Sequence, residues 1–223
     1  MNQNNMKEIL DMLNILNEDF LSLPDEMLLD INPRDNESLD KGLNFIKEFN
    51  DNLSQFTTVS NKIEFQIKKY FGINPEEEDL EKEVAKDNES KRIIKELDES
   101  VPHTLDENFT YKRPYGFVLL DSAYKGLKTW KNLYIQVLKE LKNYEPQRFS
   151  KLPEEKRFIS NRGNPLFSRK RDGLRVAERL DSDFYVEVNL SANSIKDSII
   201  GLLSYFDINS KEMRIYLRED RDA

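Results

Sequence analysis

Three acids, Asp181, Asp183 and Glu187, fall within one short stretch at the start of what reads as a strand, Phe184-Tyr185-Val186-Glu187-Val188. Carboxylates gathered at the head of a strand are how many nucleases hold a divalent cation and activate water with it. That pattern continues with a lysine two residues after the glutamate, and here the position is Asn189. Strand-edge charges facing water are therefore the plainer reading, and a divergent metal-dependent nuclease stands only as an alternative. The one histidine, His103, sits in the segment 101–108 with no neighbouring motif that would supply catalytic or metal partners, and it is expected to be a solvated linker residue. With no cysteine and seven glycines the chain excludes disulfides, thiolate metal sites, cysteine nucleophiles and a glycine-rich phosphate loop. No catalytic residue, no metal ligand and no cofactor is assigned.

The second chemistry-bearing feature is positive charge. Residues 148–179 hold ten cations, Arg148, Lys151, Lys156, Arg157, Arg162, Arg169, Lys170, Arg171, Arg175 and Arg179, against Glu154, Glu155, Asp172 and Glu178. Phe149, Phe158 and Phe167 are interleaved with them, and Arg162-Gly163-Asn164-Pro165 and Asp172-Gly173 mark turns. One reading is a loop-rich basic patch that tracks phosphates. The other is a solvated loop whose phenylalanines are tucked into a core. Arg162, Arg169, Lys170, Arg171 and Arg175 are the candidate binding residues for an acidic partner or nucleic acid. Unpaired cations so close together must mostly face water or an acidic surface. Phe167 and Leu174 are the expected anchors of the run.

The elements that must position these groups are clearest from Phe184 to Leu217. Strand 184–188 alternates at period two, Ser191 can cap the helix that follows, and Ile195, Ile199, Leu202, Leu203 and Phe206 share one helical face before Met213–Leu217 alternates again. This predicts a β-α-β unit. Upstream, 109–120 and 123–127 read as a hairpin, and Thr129 caps a helix with Trp130, Leu133, Tyr134, Val137, Leu138 and Leu141 on its buried side. The first half is helical throughout. Ile9, Leu10, Leu13, Leu16 and Phe20 recur at helical spacing up to Pro24, which marks either a break or the first position of a short helix carrying Met27, Leu28 and Ile31, and Asn32-Pro33 is a second break. From Leu39 to Tyr70 an apolar seam runs in steps of three and four, with Thr57-Thr58-Val59-Ser60 as its weak point. Glu76–Glu99 predicts an acidic helix with a thin apolar stripe, either solvated or docking a basic partner. The expected fold is α+β. An acidic, coiled-coil or bundle-like helical domain at 1–100 and a linker at 101–108 lead to an α+β domain at 109–223 with its basic excursion.

The formal charge of −8 conceals a division: residues 1–108 carry 26 Asp/Glu against 12 Lys/Arg, and 109–223 carry 16 against 22. Such asymmetry points to an acidic partner for the second half, be it nucleic acid, another protein or the first half itself. No apolar run reaches the roughly 18 residues a membrane helix needs, and Met1-Asn2-Gln3-Asn4-Asn5 lacks a signal-peptide pattern. No membrane association and a cytoplasmic location are the expectation.

The run Tyr111-Lys112-Arg113-Pro114-Tyr115-Gly116-Phe117, then Trp130, then Phe167-Ser168-Arg169, then Tyr185-Val186-Glu187-Val188-Asn189-Leu190-Ser191-Ala192-Asn193-Ser194-Ile195 resembles a C-terminal module of otherwise dissimilar bacterial proteins, some in restriction or phage-defence settings. The resemblance covers about residues 109–217. It implies a portable recognition or assembly domain joined to varied partners, with no catalytic residue to carry over. The function expected is a non-enzymatic regulatory or adaptor protein. It would self-associate or hold a protein partner through 36–71 and recognise an acidic partner through the C-terminal domain. A nucleic-acid binder using 148–179 is the alternative.

Overall fold

The apolar spacing of the first half is realised as two long helices, α1 (Gln3–Asp30) and α2 (Asn36–Phe71). The structure, a computed structural model, describes residues 3–71, 86–160 and 163–220, and the chain divides into two units, 1–85 and 86–223. In the first unit the helices form an antiparallel hairpin. Ile31 lies against Gly42, Phe20 packs edge-on against Phe49 and Phe56, and the Thr57 hydroxyl donates to the Asn17 side-chain oxygen at 2.9 Å. The Asp35 carboxylate accepts from the Glu37 amide at 3.1 Å and its carbonyl accepts from Leu39, which starts α2 where the chain leaves Pro33.

Two expectations are corrected in this unit. Pro24 does not break α1. An interior proline costs a helix about 3 kcal/mol, and contacts to α2 on both sides of it, at Phe20 and Ile31, hold the helix together. Nor is 57–60 the weak point of α2. Thr57 and Ser60 are buried there, where short side chains let the helices approach and the Asn17 contact satisfies the hydroxyl.

The second unit begins earlier than composition suggests. Helix α3 (Lys86–Leu97) packs on the hairpin of β1 (Pro114–Leu119) and β2 (Ser122–Lys125), and Ile93 and Leu97 are buried with Val118, Ala123 and Tyr216. The expected boundary at 101–108 is therefore wrong on both counts. The preceding helix belongs to the second unit, and 101–108 is no linker: Leu105 is buried and His103 pairs its backbone with Ile215, donating at 2.8 Å and accepting at 2.9 Å. A helix with few apolar residues reads as solvated, yet two well-placed ones suffice to seat it on a sheet. The upstream part of that predicted acidic helix, 76–85, lies outside the described residues.

After β2 come α4 (Trp130–Tyr144), the single turn α5 (Pro146–Phe149), β3 (Phe167–Ser168), β4 (Ala177–Asp181), β5 (Phe184–Glu187), α6 (Ala192–Tyr205) and β6 (Met213–Leu217). The strands form two antiparallel three-stranded sheets, ordered β2-β1-β6 and β3-β5-β4. Strand, helix and strand follow one another over 184–217 as expected, but β5 and β6 lie in different sheets, so the segment is not a crossover within one sheet. β6 instead pairs antiparallel with β1, Phe117 opposite Ile215. Alternation in β1 serves two layers: Phe117 and Leu119 enter the main core with Trp130 and Ile215, whereas Val118 faces α3. A Cβ on Gly116 would lie 2.4 Å from the Tyr124 carbonyl oxygen, which is why the tight pairing of β1 and β2 has glycine there. Thr129 and Ser191 cap α4 and α6 as the sequence predicts, accepting from the amides of Asn132 and Ser194.

Candidate functional site

The three acids near β5 are dispersed rather than gathered. Asp181 accepts from the Lys142 ammonium at 2.7 Å, and that cation together with the Ser182 amide holds its carboxyl below the usual range. Asp183 lies 3.3 Å from the Arg169 guanidinium. Glu187 is 3% exposed and accepts from the amides of Arg175 (2.7 Å), Val176 (3.2 Å) and Asn189 (2.8 Å). A carboxylate saturated by backbone donors is a buried staple, fastening the segment 175–176 to β5. Among the described residues no group of three or more acids and histidines is placed to hold a metal ion. A shallow cleft of about 250 Å³ is lined by Arg157, Phe158, Leu166, Asp197, Ser198 and Gly201. The Ser198 hydroxyl there donates to the Ser194 carbonyl, so it is spoken for by its own helix.

His103 is not a solvated linker residue. Its Nδ1 lies 2.7 Å from the Glu107 carboxylate and its Nε2 2.7 Å from that of Asp220, with the ring 13% exposed. Burial works against the charged ring, but hydrogen bonds and charge from Glu107 and Asp220 outweigh it and raise the histidine pKa. In the same way the Glu107 carboxyl, despite its own desolvation, is held below its ordinary value by His103. Ionised carboxylates only accept, so the ring bonds both of them only when both its nitrogens carry a proton. Nothing in the sequence signals this, because Asp220 is far along the chain.

The basic excursion separates into two classes. Five guanidinium groups are engaged internally. Arg148 pairs with Asp207 (2.9 Å) and lies over the Tyr205 ring, and Arg157 lies over the same ring. Arg169 reaches Asp183 and the Ser150 carbonyl, Arg175 lies 3.8 Å from Glu187, and Arg179 donates to the Asp181 carbonyl. The side chains of Lys151, Lys156, Lys170 and Arg171 are exposed and make no ion pair among the described residues. Of the five candidate residues, Arg169, Lys170, Arg171 and Arg175 are all exposed, but only Lys170 and Arg171 have uncommitted charge; Arg162 lies outside the described residues. The Arg169 bond to Ser150 brings the chain beside Lys170 against the chain beside Lys151. Phe167 anchors the run, 2% exposed, as expected; Leu174 is only partly buried, and Leu166 and Val176 pack on the core instead. Two carboxylates of α3 and the turn after it pair elsewhere, Glu96 with Lys125 and Asp98 with Arg214.

One surface is visible in the sequence only as part of the single seam of 39–70, which takes in Phe49, Phe56, Ile63 and Tyr70. On α2 the residues Phe45, Phe49, Asn52, Phe56, Val59, Ile63, Gln66 and Tyr70 recur in steps of four and three, a second heptad seam beside the one against α1. Phe45, Val59, Ile63 and Tyr70 of this seam are 45%, 53%, 40% and 83% exposed, and on α1 Ile9, Met12 and Leu16 are 41%, 60% and 42% exposed. Ile9, Met12 and Leu16 each precede by one residue the row of Leu10, Leu13 and Asn17, and Phe45, Val59 and Ile63 each precede the row of Ile46, Ser60 and Glu64. Asn17 and its row face α2. In two antiparallel helices the same angular offset from the shared interface points to the same side, so these residues share one side of the hairpin, with Met12 and Leu16 level with Val59 and Ile63. The rings of Phe45 and Phe49 stack at 5.9 Å and link this face to the interior of the hairpin. Leu28, Leu29, Leu43 and Phe65 are also exposed, outside this seam.

Comparison with known proteins yields no matching family model, no matching curated protein and no matching solved structure. Among the described residues no helix is long and apolar enough to cross a membrane.

Proposed function

We propose that this protein is a non-enzymatic adaptor, with a helical arm that binds protein through an apolar face and an α+β domain that recognises an acidic partner. The observation that carries the reading is the apolar face built by both helices of the hairpin. Contiguous apolar surface contributed by two elements marks an interaction site, whereas single exposed apolar residues do not. The four uncommitted cations Lys151, Lys156, Lys170 and Arg171 support the second half of the reading, and they favour nucleic acid as one acidic partner. The absence of a gathered acid cluster among the described residues and the saturation of Glu187 argue against the nuclease alternative. The resemblance of 109–217 to a C-terminal module of otherwise dissimilar bacterial proteins, some in restriction or phage-defence settings, suits a recognition domain, and we place the adaptor in that kind of setting.

Because the chain has no cysteine, Val59→Cys puts a single reporter thiol on the face. In the full chain at nanomolar concentration, maleimide should modify this thiol at close to the rate of an unstructured thiol. Slow modification at every dilution would mean that the chain itself covers the face, and the adaptor reading would fall.

A further inference from the structure

We infer that the partner of this face is a second copy of the chain. Two hairpins pack face to face into a four-helix bundle, with α1 of one copy antiparallel along α2 of the other. The inference rests on the adaptor reading and names the occupant of its helical arm. Three observations support it.

The first is shape. A two-helix hairpin has one interior row per helix, whereas α2 carries two adjacent heptad seams that share Phe49 and Phe56. Adjacent seams of this kind are what a helix needs to contact neighbours on two sides, as in a four-helix bundle. The second is area. At their exposures the seven apolar side chains of the face present on the order of 700 Å² per copy, close to the roughly 800 Å² per partner of a standard specific interface. A single peptide helix would leave part of it uncovered, because both helices contribute.

The third is charge, and it selects the arrangement. Residues 3–30 hold Glu8, Asp11, Glu18, Asp19, Asp25, Glu26 and Asp30 against Lys7 alone, while 36–71 hold five acids and five lysines. A two-fold axis across the helices would lay the acidic α1 on its own copy, which like charges disfavour. An axis along the helices lays α1 on α2 instead, and brings Glu8 and Asp11 level with the lysine-bearing end of α2 at Lys62 and Lys69. Every adjacent pair in the bundle is then antiparallel, and the interface is isologous and closed. It also sets Leu16 of one copy level with Val59 of the other, because Asn17 and Thr57 already meet within each hairpin.

The test uses the full chain. Light scattering should give twice the chain mass at micromolar concentration, and Met12→Glu with Ile63→Glu should return it to the monomer while the second unit, followed through Trp130 fluorescence, keeps its melt. An equimolar mixture of Leu16→Cys and Val59→Cys chains, oxidised after mixing, should give mainly the mixed disulfide. A monomer at high micromolar concentration whose Val59→Cys thiol is freely reactive would overturn the second copy as occupant and leave the adaptor reading standing. A monomer whose thiol is protected at all dilutions would sink both. Predominance of the Leu16→Cys homodimer would overturn the arrangement of α1 along α2.

Discussion

Replacing His103 with alanine should weaken the second unit in a manner that depends on pH. Each hydrogen bond to a charged partner contributes about 1.5–3 kcal/mol. The Glu107 and Asp220 carboxylates are 37% and 28% exposed, so solvent screening puts each bond at the lower end and the pair at about 3 kcal/mol. The folded-state pKa of His103 is raised. The extra stability is therefore fully present below the unfolded histidine value of about 6.5 and is lost as pH rises through the folded value. A neutral ring has one N–H and serves only one carboxylate, leaving about 1 kcal/mol. Glu107, whose pKa is lowered, sets the other limit, because its contribution vanishes as pH falls through its folded value. Trp130, the only tryptophan, is buried in the second unit and donates to the Lys112 carbonyl at 2.9 Å, so its fluorescence reports unfolding of that unit alone. Urea titrations in steps upward from about pH 5.5 should show a cost of His103→Ala near 3 kcal/mol at the low end that falls to about 1 kcal/mol once the pH has passed the folded value. The loss of ring volume is common to all conditions. A cost that stays constant over the whole range in which the protein folds, or that grows with pH, would refute the doubly protonated bridge.

Glu187→Ala should lower the stability of the second unit by about 3 kcal/mol or more, since it strips the acceptor from three amides, and Mg²⁺ or Mn²⁺ should leave the wild-type melt unmoved; a cation-dependent rise in the melting temperature would restore the nuclease alternative. Changing Lys151, Lys156, Lys170 and Arg171 together to serine should leave the melt of the full chain in place. The same variant should reduce the salt dependence of binding to a single-stranded oligonucleotide by about 0.7 in log–log slope for each phosphate that is no longer neutralised. Unchanged binding would remove these cations as a recognition surface.

Side-chain spacing and capping chemistry are local properties, and they make most elements legible in the sequence alone: the two long helices, the capped starts of α4 and α6 at Thr129 and Ser191, and the strands at 184–187 and 213–217. Tertiary structure decided the rest, because the deciding partners are distant in sequence. Helix α3 looks solvated until Val118 and Tyr216 receive its Ile93 and Leu97, and Pro24 looks like a break until Phe20 and Ile31 are seen pinned to α2. Composition placed ten cations in 148–179, but only the fold supplies Asp183, Asp207 and Glu187 to the arginines and leaves Lys151, Lys156, Lys170 and Arg171 uncommitted. His103 becomes a charged bridge solely because Asp220 arrives from the far end of the chain. The apolar face lies between these cases. Its heptad at 45–70 is written in the sequence, yet periodicity cannot tell a buried seam from an exposed one, and only the position of α1 shows which of the two is left for a partner.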